Sequence, residues 1–399
     1  MLGVSFGRHR YPAGNRMRQG PPDLLTMIAR LIGTPSVSSV SHELDQGNRP
    51  VIDLLAGWLE DAGFSVEVMP LAGRPDKANL IATLGQGPGG LVLSGHTDTV
   101  PWDEGEWRHD PFSLTEADGR LYGLGTSDMK AFLALAIEAL RDIRPRDLRE
   151  PVIILATADE ETSMAGARAL VEHDALHARH ALIGEPTGMR PVRMHKGMMM
   201  EAIRLHGHAG HSSDPALGNS ALEAMHRVIT ALLAWRQELQ ANWHDPLFAV
   251  PVPTLNLGHI HGGDNPNRIC ADCELHIDLR PLPGMDIGEL RHAIHQRVTD
   301  TLQGSGIRAG FEALFEGVPA MTTDADARIV RITEQLTGHA AGAVAFGTEA
   351  PYLQQLGMQP VVLGPGDIEQ AHQPDEYLAT DRLQPMVSLL QQLLKSVCT

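Results

Sequence analysis

Only three cysteines occur in 399 residues, Cys270, Cys273 and Cys398. They are too few to staple a chain of this size, and the scarcity fits a reducing cytoplasm. Cys270 and Cys273 form a C-x-x-C, but no second pair exists to complete a four-thiolate zinc site. In the strand expected there the two side chains point to opposite faces, so both read as structural thiols. No apolar run approaches the roughly 20 residues that span a bilayer. A soluble chain with no membrane partner is expected. Positive charge is also short: 32 Lys and Arg stand against 49 Asp and Glu, a net charge of -17. That balance argues against nucleic acid or an anionic membrane surface as a partner. Carboxylates gathered around bound cations would explain part of the excess. The exception is the first 20 residues, where Arg8, Arg10, Arg16 and Arg18 occur with no acid and no apolar h-region. A secretory signal is not expected. The segment reads as a disordered basic tail or an upstream over-called start, with organelle targeting as the alternative.

What is present describes a globular protein: 43% hydrophobic and 20% charged residues, in a chain long enough for two domains. Pro22 and Asp23 open a helix with Leu24, Ile28, Leu31 and Ile32 at helical spacing, ended by Thr34-Pro35. A second helix is expected at 49–62. Strands follow at 65–69, 79–84 and 91–94, then a helix at 130–141, and apolar strands at 151–156 and 181–183. The pattern is α/β with buried strands.

Several of these strands end in metal-ligating types. Leu91, Val92 and Leu93 lead into SGHTDTVP (94–101), where His96 and Asp98, two residues apart, share one side of an extended segment. One could ligate a metal while the other holds its ring. Strand 151–156 runs into Asp159, Glu160 and Glu161, and strand 181–183 into Glu185. Asp128 follows a glycine-rich turn. A lone carboxylate of this kind is usually a solvated loop acid. Open α/β sheets, however, bind ligands at the carboxyl ends of their strands, which lets all of these residues converge.

After His195 the texture changes. Strands are expected at 198–208 and 254–260, and 273–280 alternates Leu275, Ile277 and Leu279 with Glu274, His276, Asp278 and Arg280, a sheet with one wet face. With helices at 220–240 and 286–302, this reads as an inserted α+β unit. The α/β texture resumes near Gly304, with a buried strand at 361–363 and a last helix at 382–394. The expected domains are 1–20, a tail; 21–194 with 303–399, a discontinuous catalytic domain; and 195–302, an inserted lid or dimerisation domain.

Together these stretches resemble the M20 family of metallopeptidases and amidohydrolases. The resemblance runs through SGHTDTVP, GLGTSDMKAF (123–132), ADEET (158–162), GEPT (184–187), GHAGHSSDP (207–215), the long run 253–284, FGTEAPYL (346–353) and LGPGDIEQAHQPDEYL (363–378). It covers about residues 22–396. The long runs at 253–284 and 346–378 point to the deacetylase branch. Ala131, where many relatives have glycine, departs from the pattern with a small packing effect expected.

The resemblance implies a mixed-sheet, zinc-peptidase-like α/β domain with helices on both faces, plus the inserted domain with its antiparallel sheet. It also implies two divalent ions, zinc first, with cobalt or manganese possible because affinity order does not fix identity. Asp128 would bridge both ions, His96 and Glu185 would complete one, and Glu161 and His372 the other. Asp98 would orient His96, and Glu160 would be the general base. His211 would stabilise the oxyanion, supplied by the other subunit of a homodimer. Asn267 and Arg280 would hold substrate, and Glu349 is a candidate acceptor for a substrate ammonium. The expected reaction is hydrolysis of N2-acetyl-L-ornithine to L-ornithine and acetate, as in arginine biosynthesis. Alternatives are another N-acyl amino acid such as N-acetylcitrulline, succinyl-diaminopimelate or a small peptide. A non-catalytic metal-binding protein on the same fold is the other class. Glu160 beside the ligand Glu161 counts against it, because binding metal needs only ligands while catalysis needs a base.

Overall fold

In the computed structural model of the chain, residues 9–10 and 20–399 are described. The expectations for 1–20 therefore lie outside the described residues, except that His9–Arg10 pairs antiparallel with Ser65–Leu71 and is strand, not tail.

The chain divides into two units, Met1–Arg193 with Thr323–Gly342 and Thr348–Thr399, and Met194–Thr322 with Ala343–Gly347. The first is built on a mixed sheet. At its centre Val152–Thr157, Leu91–His96, His180–Pro186 and Gln359–Gly364 lie side by side and parallel. Arg74–Leu84 and Ser65–Leu71 extend one side antiparallel. The two apolar runs Leu91–His96 and Val152–Thr157 are buried at every position, as strands covered on both faces must be. Helix Lys130–Ala139 has nine buried residues, Ala131 among them, and packs on Leu24–Ile32, on Leu383–Val397 and on the sheet. A helix apolar all round belongs in a core. Leu24–Ile32 starts where expected, because the Asp23 side chain accepts the Thr26 N–H at 3.0 Å.

One close approach fixes the sheet against this helix. A Cβ on Gly184 would lie 2.0 Å from the Phe132 ring, so only glycine lets strand and helix meet here. The next residue is Glu185, whose position is thereby set by packing.

The second unit is an antiparallel sheet in the order Thr254–Gly262, Asp272–Arg280, Met199–His206, Arg308–Ala313. Cys273, Leu275, Ile277 and Leu279 are buried in the same core as Leu232 of helix Ala221–Asn242 and Ile294 of helix Ile287–Leu302. Both helices begin at a side-chain cap, Ser220 to the Glu223 N–H and Asp286 to the Glu289 N–H. The unit reaches beyond residue 302, where the sequence reading ended it. Arg308–Ala313 pairs with Met199–His206, Phe311 opposite Ile203, and so belongs to this sheet. Its sequence, RAGFEA, has no full apolar alternation to announce it. Cys270 precedes the strand instead of lying in it, while Cys273 is buried within it, its thiol pushed up to about 11 by burial.

His180, at the start of a central strand, is buried, and neither ring nitrogen has a hydrogen-bond partner among the described residues. Burial first, then Arg328 and Arg179, pushes its pKa down to about 4. The folded chain thus holds it neutral, while the unfolded chain protonates it near 6.5. Stability is complete above that value and is lost as pH falls toward 4. His180→Gln is expected to flatten the fall in stability between pH 7 and 5 by about 2 kcal/mol, measured by denaturant unfolding at each pH.

Candidate metal centre

The carboxyl ends of the parallel strands gather the titratable residues. His96 is the last residue of Leu91–His96. Its Nδ1 lies 2.9 Å from the Asp98 backbone carbonyl. A carbonyl only accepts, so Nδ1 carries the proton and Nε2 of the neutral ring is left with a lone pair. Nε2 faces Asp128 Oδ1 at 3.1 Å and Glu185 Oε1 at 3.9 Å. Three acceptors pointing at one another require a proton or a cation among them. Burial opposes charge on His96, but Asp128, Glu185 and Glu160 outweigh it and hold the ring well above its ordinary range.

Asp128 also faces the other way. Its Oδ2 lies 3.6 Å from His372 Nε2, which is 3.1 Å from the Glu161 carboxylate. His372 sits in the left-handed region at φ +59 and is pushed up to about 9, first by its bond to Glu161. The two groups, His96, Asp128, Glu185 and Asp128, Glu161, His372, each bring one ligand atom per residue within 4.8 Å of the others. Ligands at about 2.1 Å from a tetrahedral ion stand about 3.4 Å apart.

The residues fit two cations on further grounds. Glu185 Oε1 is buried without a hydrogen-bond partner among the described residues. Burial, then Asp128, holds Glu185 well above the usual carboxylate range, and burial, then Glu185, does the same to Glu160. A cluster of carboxylates and imidazoles that strains to take up protons is a cluster that divalent ions would neutralise.

Supports around the cluster differ from the sequence reading in two places. Asp98 lies 3.8 Å through its carboxylate from His96 Nδ1, so its backbone carbonyl orients the ring. The carboxylate instead accepts the N–H groups of Glu160 at 3.2 Å and Glu161 at 3.1 Å, fixing the turn that carries both acids. Glu349 is 1% exposed, and its two oxygens take the hydroxyls of Ser94 and Thr157, which follow the core into neighbouring strands. A carboxylate so buried and so occupied is not free for a substrate ammonium, and that assignment is withdrawn.

Sequence reasoning missed Glu376. Buried, it accepts the N–H of Ser127 at 2.7 Å and of Asp128 at 2.9 Å, with both oxygens 3.1 Å from the Gly125 nitrogen. It thus shapes the loop that presents Asp128, whose peptide bond to Met129 is cis. Burial first, then Asp128, pushes Glu376 up to about 8. The available signal was an acid four residues after His372; its partners lie some 250 positions away.

His211, Asn267 and Arg280 belong to the second unit. Its loops join His211 and Asn267: Ser212 donates its N–H to the Asn267 carbonyl at 3.1 Å, and His211 pairs with Arg268. Both side chains are exposed. His211 Nδ1 bonds the Ser213 hydroxyl at 2.7 Å. Arg280 is half-buried with Nε on Asp278 at 3.0 Å, a pairing within the wet face of its sheet.

Known proteins share this chain's sequence and fold. The acetylornithine deacetylase of Edwardsiella ictaluri is 52% identical over 378 residues, 94% of this chain and 98% of that protein. The acetylornithine deacetylase of Pectobacterium carotovorum is 48% identical over 382 residues, 96% of this chain and all of that protein. Among solved structures, an M20 metallo-carboxypeptidase from Sulfolobus solfataricus superposes with a TM-score of 0.73 at 17% identity, over 94% of this chain and 99% of that one. A dinuclear metal-binding M20 peptidase from Bacillus subtilis gives 0.65 at 16% identity, over 93% and 97%. Residues 92–396 match the profile of peptidase family M20/M25/M40, and with relatives this similar along their full length, the chain belongs to that family.

Proposed function

We propose that this protein hydrolyses N2-acetyl-L-ornithine to L-ornithine and acetate, the deacetylation step of arginine biosynthesis. The carrying observation is half-identity to acetylornithine deacetylases along nearly the whole chain, together with two ligand groups sharing Asp128. His96, Asp128 and Glu185 would hold one divalent ion and Asp128, Glu161 and His372 the other. Zinc suits this imidazole and carboxylate set, and cobalt or manganese could replace it. Such ions supply the charge that lowers the pKa of water toward neutrality and polarises an amide carbonyl.

The chain's own groups do the rest. Glu160 takes the proton of the attacking water and delivers it to the departing amine, completing both transfers with one carboxylate. Its half-buried position and the hydrogen bond that its backbone N–H donates to the Asp98 carboxylate support that role. His211 donates to the oxyanion, and in the homodimer we propose it comes from the inserted unit of the other subunit. Asn267 holds the substrate, and Arg280, bound to Asp278, is the weaker candidate for its carboxylate. Among the described residues no helix is long and apolar enough to cross a membrane. The cytoplasm is the proposed site of action.

His211→Ala should lower kcat about 10²-fold, as loss of an oxyanion donor does elsewhere, with metal content unchanged. Mixing it with a Glu160→Ala protomer should restore part of the activity if the donation crosses subunits. A monomeric, fully active preparation would contradict the crossing. The substrate is tested by kcat/KM for N-acetyl-ornithine, N-acetyl-citrulline, N-acetyl-methionine and succinyl-diaminopimelate. Preference for N-acetyl-ornithine supports the reading; preference elsewhere keeps the chemistry and moves the substrate.

A further inference from the structure

The turn that carries Glu160 is held by a buried cation, Lys77, that belongs to neither ligand group. Asp159, the residue before Glu160, stands at φ +55, in the left-handed region that a non-glycine residue adopts only when its surroundings hold it there. Its backbone carbonyl accepts the N–H groups of Ser163 and Met164 at 3.1 and 2.7 Å, closing the turn. Its Oδ1 takes two bonds, one from Lys77 Nζ and one from the Ser38 hydroxyl at 2.9 Å. Lys77 is 2% exposed and also binds Asp45 Oδ1 at 2.7 Å, while Asp45 is shared with Arg74. Ser38 reaches a second point on the turn, the Thr162 hydroxyl, at 2.7 Å. The clasp thus ties strand Arg74–Leu84 and the loop of Ser38 and Asp45 to residues 159–162.

The Glu160 and Glu161 N–H groups are held separately, by the Asp98 carboxylate. The turn is pinned by two separate sets of bonds, and the residue that the clasp holds is the one immediately before Glu160. A buried ion pair adds little net stability over apolar packing, so the conformation it imposes is the better account of its presence.

We propose that Lys77 is a positioning residue: through Asp159 it sets the backbone torsion that aims the Glu160 carboxylate. The inference rests on Glu160 being the general base, as proposed above. Relaxing Asp159 toward ordinary dihedrals would swing Glu160, and misplacing a reacting group by about 1 Å costs on the order of 10²-fold in rate. Because neither Lys77 nor Asp159 belongs to either ligand group, metal binding and substrate affinity should be largely spared.

The experiment uses the full-length, zinc-reconstituted protein as wild type, Lys77→Met, and Lys77→Met with Asp159→Asn. Four quantities are read: kcat and KM on N-acetyl-ornithine, bound zinc, melting temperature, and hydrogen exchange at the 160 and 161 amides, with and without zinc. In Lys77→Met, kcat should fall about 30- to 100-fold with KM within about threefold, zinc retained and both amides exchanging faster. The double variant removes the uncompensated charge and should recover melting temperature without recovering kcat. If Lys77→Met does not fold, the double variant carries the test. Unchanged amide exchange, or kcat restored along with stability, overturns the inference. The exchange measurement decides it even if wild type fails to hydrolyse N-acetyl-ornithine, an outcome that would overturn the functional reading separately.

Discussion

Glu160→Ala is expected to retain its metals and lose about 10³- to 10⁴-fold in kcat, the upper range for removal of a general acid-base. Glu160 is an acid of the cluster that belongs to neither ligand group, yet it lies on the turn that also carries the candidate ligand Glu161. Removing it deletes the proton carrier for both halves of the reaction and leaves the ligand atoms in place. Because the interaction is made only as the proton moves, kcat and kcat/KM should fall together. Metal analysis beside steady-state kinetics checks this. Collapse of metal loading in the variant would make Glu160 a ligand and the role assignment wrong.

Asp128→Ala should have the larger effect on metal. Asp128 faces both imidazoles, His96 through Oδ1 at 3.1 Å and His372 through Oδ2 at 3.6 Å. It is the residue common to both ligand groups. Its loss removes the carboxylate common to both groups, together with its negative charge. Metal affinity should fall by more than the 10- to 100-fold typical of removing an outer support, with activity reduced to background. Glu185→Ala, by contrast, touches only one group and should leave the other ion measurable. Equal retention of two ions by Asp128→Ala would contradict the shared site.

Much of the candidate site was legible because several of its residues follow runs the sequence displays. His96 ends a fully buried strand, Glu185 is the last residue but one of another, and Asp159 to Glu161 follow a third. Parallel strands align their carboxyl ends, so residues 89 positions apart meet without any local signal. The fold was legible for the same reason, since period and burial agree along Leu91–His96, Val152–Thr157 and Asp272–Arg280. What was not legible depends on partners remote in sequence. Glu376 holds amides near Asp128, and Lys77 holds Asp159, contacts that no spacing announces. Glu349 was offered because a substrate ammonium needs a carboxylate acceptor, whereas the hydroxyls of Ser94 and Thr157 occupy it in the core. Asp98 was half-read: the ring of His96 is held by its carbonyl, and its carboxylate serves the Glu160 turn instead. Arg308–Ala313 was placed in the wrong unit because a short, mixed strand on a sheet edge leaves little periodicity.

The central claim is metal-dependent hydrolysis of N-acetyl-ornithine, and one measurement meets it directly. Amine release is followed for chelator-stripped protein as zinc is titrated back, with N-acetyl-ornithine as substrate. The account predicts no activity in the stripped protein and a rise that levels off at two zinc ions per chain. Activity that survives complete stripping, or none at any zinc level, would contradict it.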